Sequence, residues 1–173
     1  MAQNRLAPIC SELPNIAQAR VLAGELRDFY DEVTDYLDDD QIERFPSYFV
    51  DDCLYQVVSR ENYAEGLPQA TIYCDGVAMV RDRVTALRQT QVYVPRLWRH
   101  FLSGLRITAL DGDDIHVRVN FMVTEAMSDQ DPTVFLVGQY IDILVREGGV
   151  FKFRQHLAVY DNHHVRRSLI VPV

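Results

Sequence analysis

The sequence predicts an α+β fold, with N-terminal helices set inside a cone-shaped, curved antiparallel sheet. Three observations predict it. Helix-period apolar patterning is confined to the first half of the chain, strict alternation takes over from Arg99 onward, and Gly- and Asp-rich turns separate the alternating runs. Helices segregated from an antiparallel sheet define the α+β class, and long twisted strands can curl around a helix.

Taken in order, Leu22, Leu26, Phe29, Val33 and Leu37 share one helical face, while Glu25, Arg27, Asp28 and Asp31 take others. That spacing predicts a long amphipathic helix following an extended arm over residues 1–15. Asp38-Asp39-Asp40 ends it, and Asp40 is placed to cap a shorter helix carrying Ile42, Phe45, Tyr48 and Phe49. Tyr55, Val57 and Val58 predict a strand from Cys53 to Arg60, which Glu65-Gly66-Leu67-Pro68 breaks. After a brief strand at Thr71 to Tyr73, Asp75 is placed to cap a third helix. Its face is Val77, Val80, Val84 and Leu87, and Pro95 closes it.

The remainder reads as β structure. Strands at Arg99 to Leu110 and Ile115 to Met127 are joined by the hairpin turn Asp111-Gly112-Asp113-Asp114. A third long strand covers Thr133 to Arg146, and Glu147-Gly148-Gly149 turns the chain into a fourth. There Phe151, Phe153, Leu157 and Val159 alternate with Lys152, Arg154, His156 and Tyr160.

At 173 residues the expectation is one domain spanning 1–173, large enough to bury about two-thirds of its unfolded surface. A formal charge of -8 argues against general nucleic-acid binding, which needs dense Lys and Arg. No run of apolar residues reaches a membrane-spanning length, and the N-terminus carries no signal-like apolar stretch, so a cytoplasmic address is expected. Cys10, Cys53 and Cys74 form no C-x-x-C unit and read as inert thiols.

The phosphate-loop, dinucleotide, nucleophile-elbow and zinc-protease motifs do not occur. Nor do the paired Cys and His that a Rieske cluster needs. Asp161, His163 and His164 are the densest metal-donor group, but adjacent residues of an extended segment point apart, and a solvated turn explains them. Trp98, Tyr93 and Tyr140 suit packing at a core or an interface. Tyr55, Asp75, His100 and His156 are the residues that an acid–base pocket inside the cone would use, with Asp75 and Asp142 as carboxylates that only the fold could bring to the histidines.

The stretch Phe45-Pro46-Ser47-Tyr48-Phe49-Val50-Asp51-Asp52-Cys53-Leu54-Tyr55 resembles the small (β) subunits of aromatic-ring-hydroxylating dioxygenases. Ser59-Arg60-Glu61-Asn62 and Glu65-Gly66-Leu67-Pro68 extend the likeness. Asp82-Arg83-Val84-Thr85-Ala86-Leu87-Arg88 resembles that family's D-R-V-x-x-L-R helix, Arg99-His100 the pair opening its first long strand, and Ser168-Leu169-Ile170-Val171-Pro172-Val173 its closing strand. The likeness is strongest to members serving oxygenases of carboxylated aromatics such as salicylate, anthranilate or terephthalate.

This resemblance implies a nuclear-transport-factor-2-like cone, assembled as a trimer within an α3β3 hexamer. No cofactor is expected in this chain. The Rieske 2Fe-2S cluster and the mononuclear iron would belong to the catalytic large subunit, fed by a reductase from NAD(P)H. The chain would be a non-catalytic support in aromatic degradation, with Arg60, Arg81, Arg83, Arg88, Tyr93, Trp98 and Arg99 as the candidate subunit contacts. The alternative is a free-standing isomerase or dehydratase with an open polar cavity.

Overall fold

The computed structural model describes residues 16–90, 96–127, 130–163 and 172–173. Helix α1 covers Ile16–Asp38, a 3-10 helix Ile42–Tyr48, α2 Arg60–Glu65 and α3 Val77–Thr90. The strands are β1 Phe49–Ser59, β2 Ile72–Asp75, β3 Leu97–Asp111, β4 Asp114–Met127, β5 Gln130–Glu147 and β6 Val150–Tyr160. They form one sheet in the order β2-β1-β6-β5-β4-β3. The predicted arm over residues 1–15, the helix stop at Pro95 and most of the closing strand lie outside the described residues.

β3 through β6 form the predicted antiparallel meander, and β2 pairs antiparallel with β1. The seam between β1 and β6 is parallel, with Tyr55 opposite His156. Sequence periodicity reports which face a residue takes and not which strand lies beside it, so this parallel pairing was illegible locally.

The concave face of the sheet holds the core. Leu26, Phe29, Tyr30, Val33 and Leu37 of α1 are all buried, as the helical spacing requires. Phe29 meets Tyr48, Phe151 and Phe153 edge-on at centroid distances of 5.0–5.9 Å. In β4, Ile115, Val117, Val119, Phe121 and Val123 point inward, leaving His116, Arg118, Asn120 and Met122 on the convex face.

Three local expectations are corrected. Asp40 does not cap the second helix: Gln41 precedes it, and Asp40 takes a left-handed φ of 58°. Asp75 ends β2, and Gly76 separates it from α3. The strand predicted to reach Arg60 stops at Ser59, whose hydroxyl accepts the Asn62 amide at 3.2 Å and starts the short helix α2.

Asp40 is instead held by Arg88 of α3. Arg88 Nη1 donates to both Asp40 carboxylate oxygens at 3.0 Å, Nη2 donates to the Asp40 carbonyl, and Nε donates to Glu43 Oε1 at 2.5 Å. Arg88→Ala is expected to cost about 1 kcal/mol in urea unfolding, less at high salt, because both carboxylates are solvent-exposed. The hydrogen bond from Arg88 holds the Glu43 carboxyl below its ordinary value of 4.5. A folded-state pKa below the unfolded one contributes stability that is present above that value and lost as pH falls through it. An Arg88→Ala penalty that stays constant from neutral pH down to acid would contradict this assignment.

Candidate functional site

One row of residues crosses the inner face of the sheet. Strand register places Cys74 of β2, Tyr55 of β1, His156 of β6, Asp142 of β5, Val117 of β4 and Ile107 of β3 side by side. The row brings together two of the four pocket candidates, Tyr55 and His156, and gives the histidine its carboxylate.

Asp142 is the centre of the cluster. Its Oδ2 accepts from the Tyr30 hydroxyl at 2.5 Å, and its Oδ1 pairs with His156 Nδ1 at 2.9 Å and accepts the Leu157 amide at 3.1 Å. Three partners thus satisfy the oxygens of one buried carboxylate. Burial, and then the Asp142 charge, raises the Tyr30 phenol well above its ordinary value. Burial likewise raises Tyr140 and Tyr55. These phenols remain hydrogen-bond donors at every pH at which the protein would work.

His156 is packed among five aromatic rings. Tyr55 stacks at 5.5 Å and 10°, Phe153 at 4.4 Å and 26°, and Tyr140, Phe45 and Phe49 close in at 4.8–6.4 Å. The imidazole is 3% exposed. A general acid or base must lie within hydrogen-bond reach of a substrate proton, and a ring this buried, with Nδ1 already paired to Asp142, presents almost no surface to one. The Tyr55 hydroxyl is engaged too, accepting the Val173 amide at 3.2 Å.

Strict alternation in the last strand put His156 on the face opposite Phe153. The structure corrects this. Arg154 is an extra residue in the β5–β6 ladder, where Leu144 pairs with Phe153 and Ile143 with Gln155, so the bulge returns His156 to the interior.

A second carboxylate–imidazole pair joins helix and sheet. At the end of α1, Asp38 pairs with His100 Nδ1 at 2.6 Å and accepts the His100 amide at 3.0 Å, with Arg99 at 3.6 Å. Both paired side chains are at most 3% exposed. The Arg99 guanidinium at the helix C-terminus offsets its partial negative charge, and the Asp38–His100 pair anchors α1 to β3.

The remaining candidates are dispersed. Asp75 is exposed at the edge of the sheet. Arg60 pairs with Asp161 at 2.7 Å, Arg88 holds Asp40 and Glu43, Arg81 is exposed and Arg83 half-buried. Trp98 packs edge-on against Phe135 at 4.9 Å in the core, and Tyr93 lies outside the described residues. No local pattern marked Tyr30 or Asp38 as polar anchors, because their partners are 112 and 62 residues away.

Iron ligation finds no matching donor set among the described residues. They contain no group of three His, Cys, Asp or Glu side chains able to hold a metal ion. The interior pairs offer one imidazole and one carboxylate each, short of two His plus a carboxylate or two Cys plus two His. Cys53 and Cys74 are buried free thiols, and burial pushes Cys53 up to about 11. His163 is 86% exposed, 3.6 Å from Glu61, and His164 lies outside the described residues.

The fold and its interior define an α+β cone of the nuclear-transport-factor-2 kind, with a dense aromatic and polar core. Within that class the chain belongs to the ring hydroxylating beta subunit family, whose model matches residues 33–167. It is 34% identical to the anthranilate 1,2-dioxygenase small subunit of Burkholderia cepacia, over 80% of this chain and 86% of that one. It is 32% identical to a terephthalate 1,2-dioxygenase terminal oxygenase component subunit, beta 1, of Comamonas sp, over 79% and 89%.

A solved structure described as the beta subunit of an aromatic-ring-hydroxylating dioxygenase from Novosphingobium aromaticivorans superimposes with a TM-score of 0.82 at 34% identity, covering 90% of this chain and 99% of that one. A protein from the same organism described as a scytalone dehydratase shares the fold alone, with a TM-score of 0.65 at 17% identity over 88% and 95% of the two chains. The protein is thus a small subunit of a dioxygenase complex, which implies a large-subunit partner.

Proposed function

We propose that this chain is the non-catalytic, structural small subunit of a cytoplasmic Rieske non-haem iron oxygenase acting on a carboxylated aromatic ring. Three copies would support three large subunits in an α3β3 hexamer, and those large subunits would hold the 2Fe-2S cluster and the mononuclear iron. The support is positional: rigid interfaces set one large subunit against the next, and positioning is itself worth orders of magnitude in rate. Relatives named for anthranilate and terephthalate, both carboxylated rings, support the substrate class.

The observation that carries the non-catalytic reading is the burial of His156, which is 3% exposed and has its Nδ1 paired with Asp142. An isomerase or dehydratase would leave such a group open to substrate.

The test uses the complex co-expressed with its large subunit, carrying Tyr55→Phe or His156→Gln. Turnover per iron is expected to match wild type within about twofold, whereas loss of a general acid or base costs roughly 100-fold or more. A fall of that size in a complex of unchanged mass and iron content would move the chemistry into this chain.

A further inference from the structure

Three rows of residues cross the convex face of the sheet where β3, β4 and β5 lie side by side. Strand register sets Ser103 beside Asn120 and Gln139, Arg106 beside Arg118 and Ile141, and Ala109 beside His116 and Ile143. The chain carries 25 Asp and Glu, yet none stands in these rows. Asp114, the next residue of β4 on this face, is already paired with Arg154 at 3.2 Å.

Arg106 and Arg118 therefore face each other as like charges, an arrangement that costs stability unless something negative lies between them. Neither guanidinium has a carboxylate partner among the described residues, and Arg118 Nε is buried with no hydrogen-bond partner. Native proteins satisfy nearly all buried polar atoms, so an orphaned guanidinium nitrogen marks a position for an acceptor. The neighbouring row adds a donor. Gln139 Nε2 donates to Asn120 Oδ1 at 2.8 Å, which occupies that oxygen and leaves Asn120 Nδ2 to donate elsewhere. Gly104, at a φ of 64° in the irregular stretch between Ser103 and Arg106, keeps the space clear, because a Cβ there would lie 2.8 Å from Asn120 Nδ2.

We propose that this patch binds a small oxyanion, a phosphate or a carboxylate, bridged between Arg106 and Arg118 with the Asn120 amide as a further donor. Guanidinium forks match both groups through paired hydrogen bonds. The anion offsets the repulsion between the two arginines and gives Arg118 Nε its acceptor. Arg106 is exposed and Arg118 half-buried, so solvent reaches the patch from one side. The inference stands on this chain alone and does not rest on the small-subunit reading.

Inorganic phosphate and acetate test this, titrated calorimetrically at constant ionic strength into the full chain and into its complex with the large subunit. Ionic strength is fixed because any salt screens the two arginines from each other. Arg106→Gln with Arg118→Gln should weaken binding by roughly tenfold or more. Arg81→Gln, at an exposed arginine elsewhere, should leave it within about twofold. In chloride the double variant should melt no lower than wild type, because it loses a repulsion. Phosphate at about tenfold excess over its dissociation constant should raise the wild-type melting temperature by roughly 3 °C and leave that of the double variant in place.

The tighter of the two anions identifies the source, phosphate-bearing ligands or carboxylates. A wild-type chain with no saturable binding overturns the proposal, as does a folded double variant that binds like wild type. Binding by the chain alone that disappears in the complex overturns it too, because a protein side chain then takes the place of the anion.

Discussion

Replacing Asp142 with alanine is expected to destabilise the chain by about 4 kcal/mol and to lower its Tm by roughly 10 °C. The substitution removes the acceptor for the Tyr30 hydroxyl, His156 Nδ1 and the Leu157 amide, and all three donors are buried. Each stranded donor costs about 1–3 kcal/mol, and the missing carboxylate leaves a void among the rings. A domain stable by about 5–15 kcal/mol loses a large share of that margin.

Tyr30→Phe removes one donor and leaves the carboxylate with two, so it should cost about 1–2 kcal/mol. In a double-mutant cycle the two changes should not add, because the hydroxyl has nothing to bind once Asp142 is gone. Urea unfolding of the four proteins measures the coupling. An Asp142→Ala loss below about 1 kcal/mol would mean that the cluster is not a structural anchor.

Gly138→Ala is expected to be as damaging, although it adds a single carbon. A Cβ on Gly138 would run into the Val159 carbonyl oxygen and lie 2.8 Å from Tyr160 Cα, backbone atoms of the neighbouring strand. Gly138 pairs directly with Tyr160, so room can come only from parting β5 and β6. Overpacking of a well-packed site usually costs about 1–3 kcal/mol, and a clash with backbone belongs at or above the top of that range. The expected outcome is a cost of about 3 kcal/mol or more by thermal or urea unfolding, with faster amide exchange along β6. Gly24, inside α1 with nothing within 4 Å of an added Cβ, is the control. Alanine there should be neutral or stabilising by up to about 1 kcal/mol.

How much of this was written locally is clear from particular residues. The helical face from Leu26 to Leu37 and the inward row of β4 were legible, because burial follows a period that the sequence displays. The turn at Asp111 to Asp114 joins β3 to β4 as its composition predicts. His156 was legible as a candidate and not as a buried group, since an unsignalled bulge at Arg154 reverses its face. Its pairing with Asp142 depends on strand register, and its stacking on Tyr55 depends on a parallel seam between the first strand and the last. Asp40 and Asp75 carried the composition of helix caps, yet a long-range arginine claimed the first and the sheet edge the second.

Those long-range features describe a core assembled for rigidity. A supporting subunit needs stable faces more than titrating groups, and the carboxylate–imidazole pairs tie α1 to β3, and β5 to β6, from within.

The most direct test of the supporting role is the mass and iron content of the chain purified alone and after co-expression with its large-subunit partner. Iron-free protein is expected from the chain alone, and an iron-containing hexamer of three copies of each subunit when the partner is present. Iron bound by the isolated chain, or aromatic turnover without a partner, would contradict it.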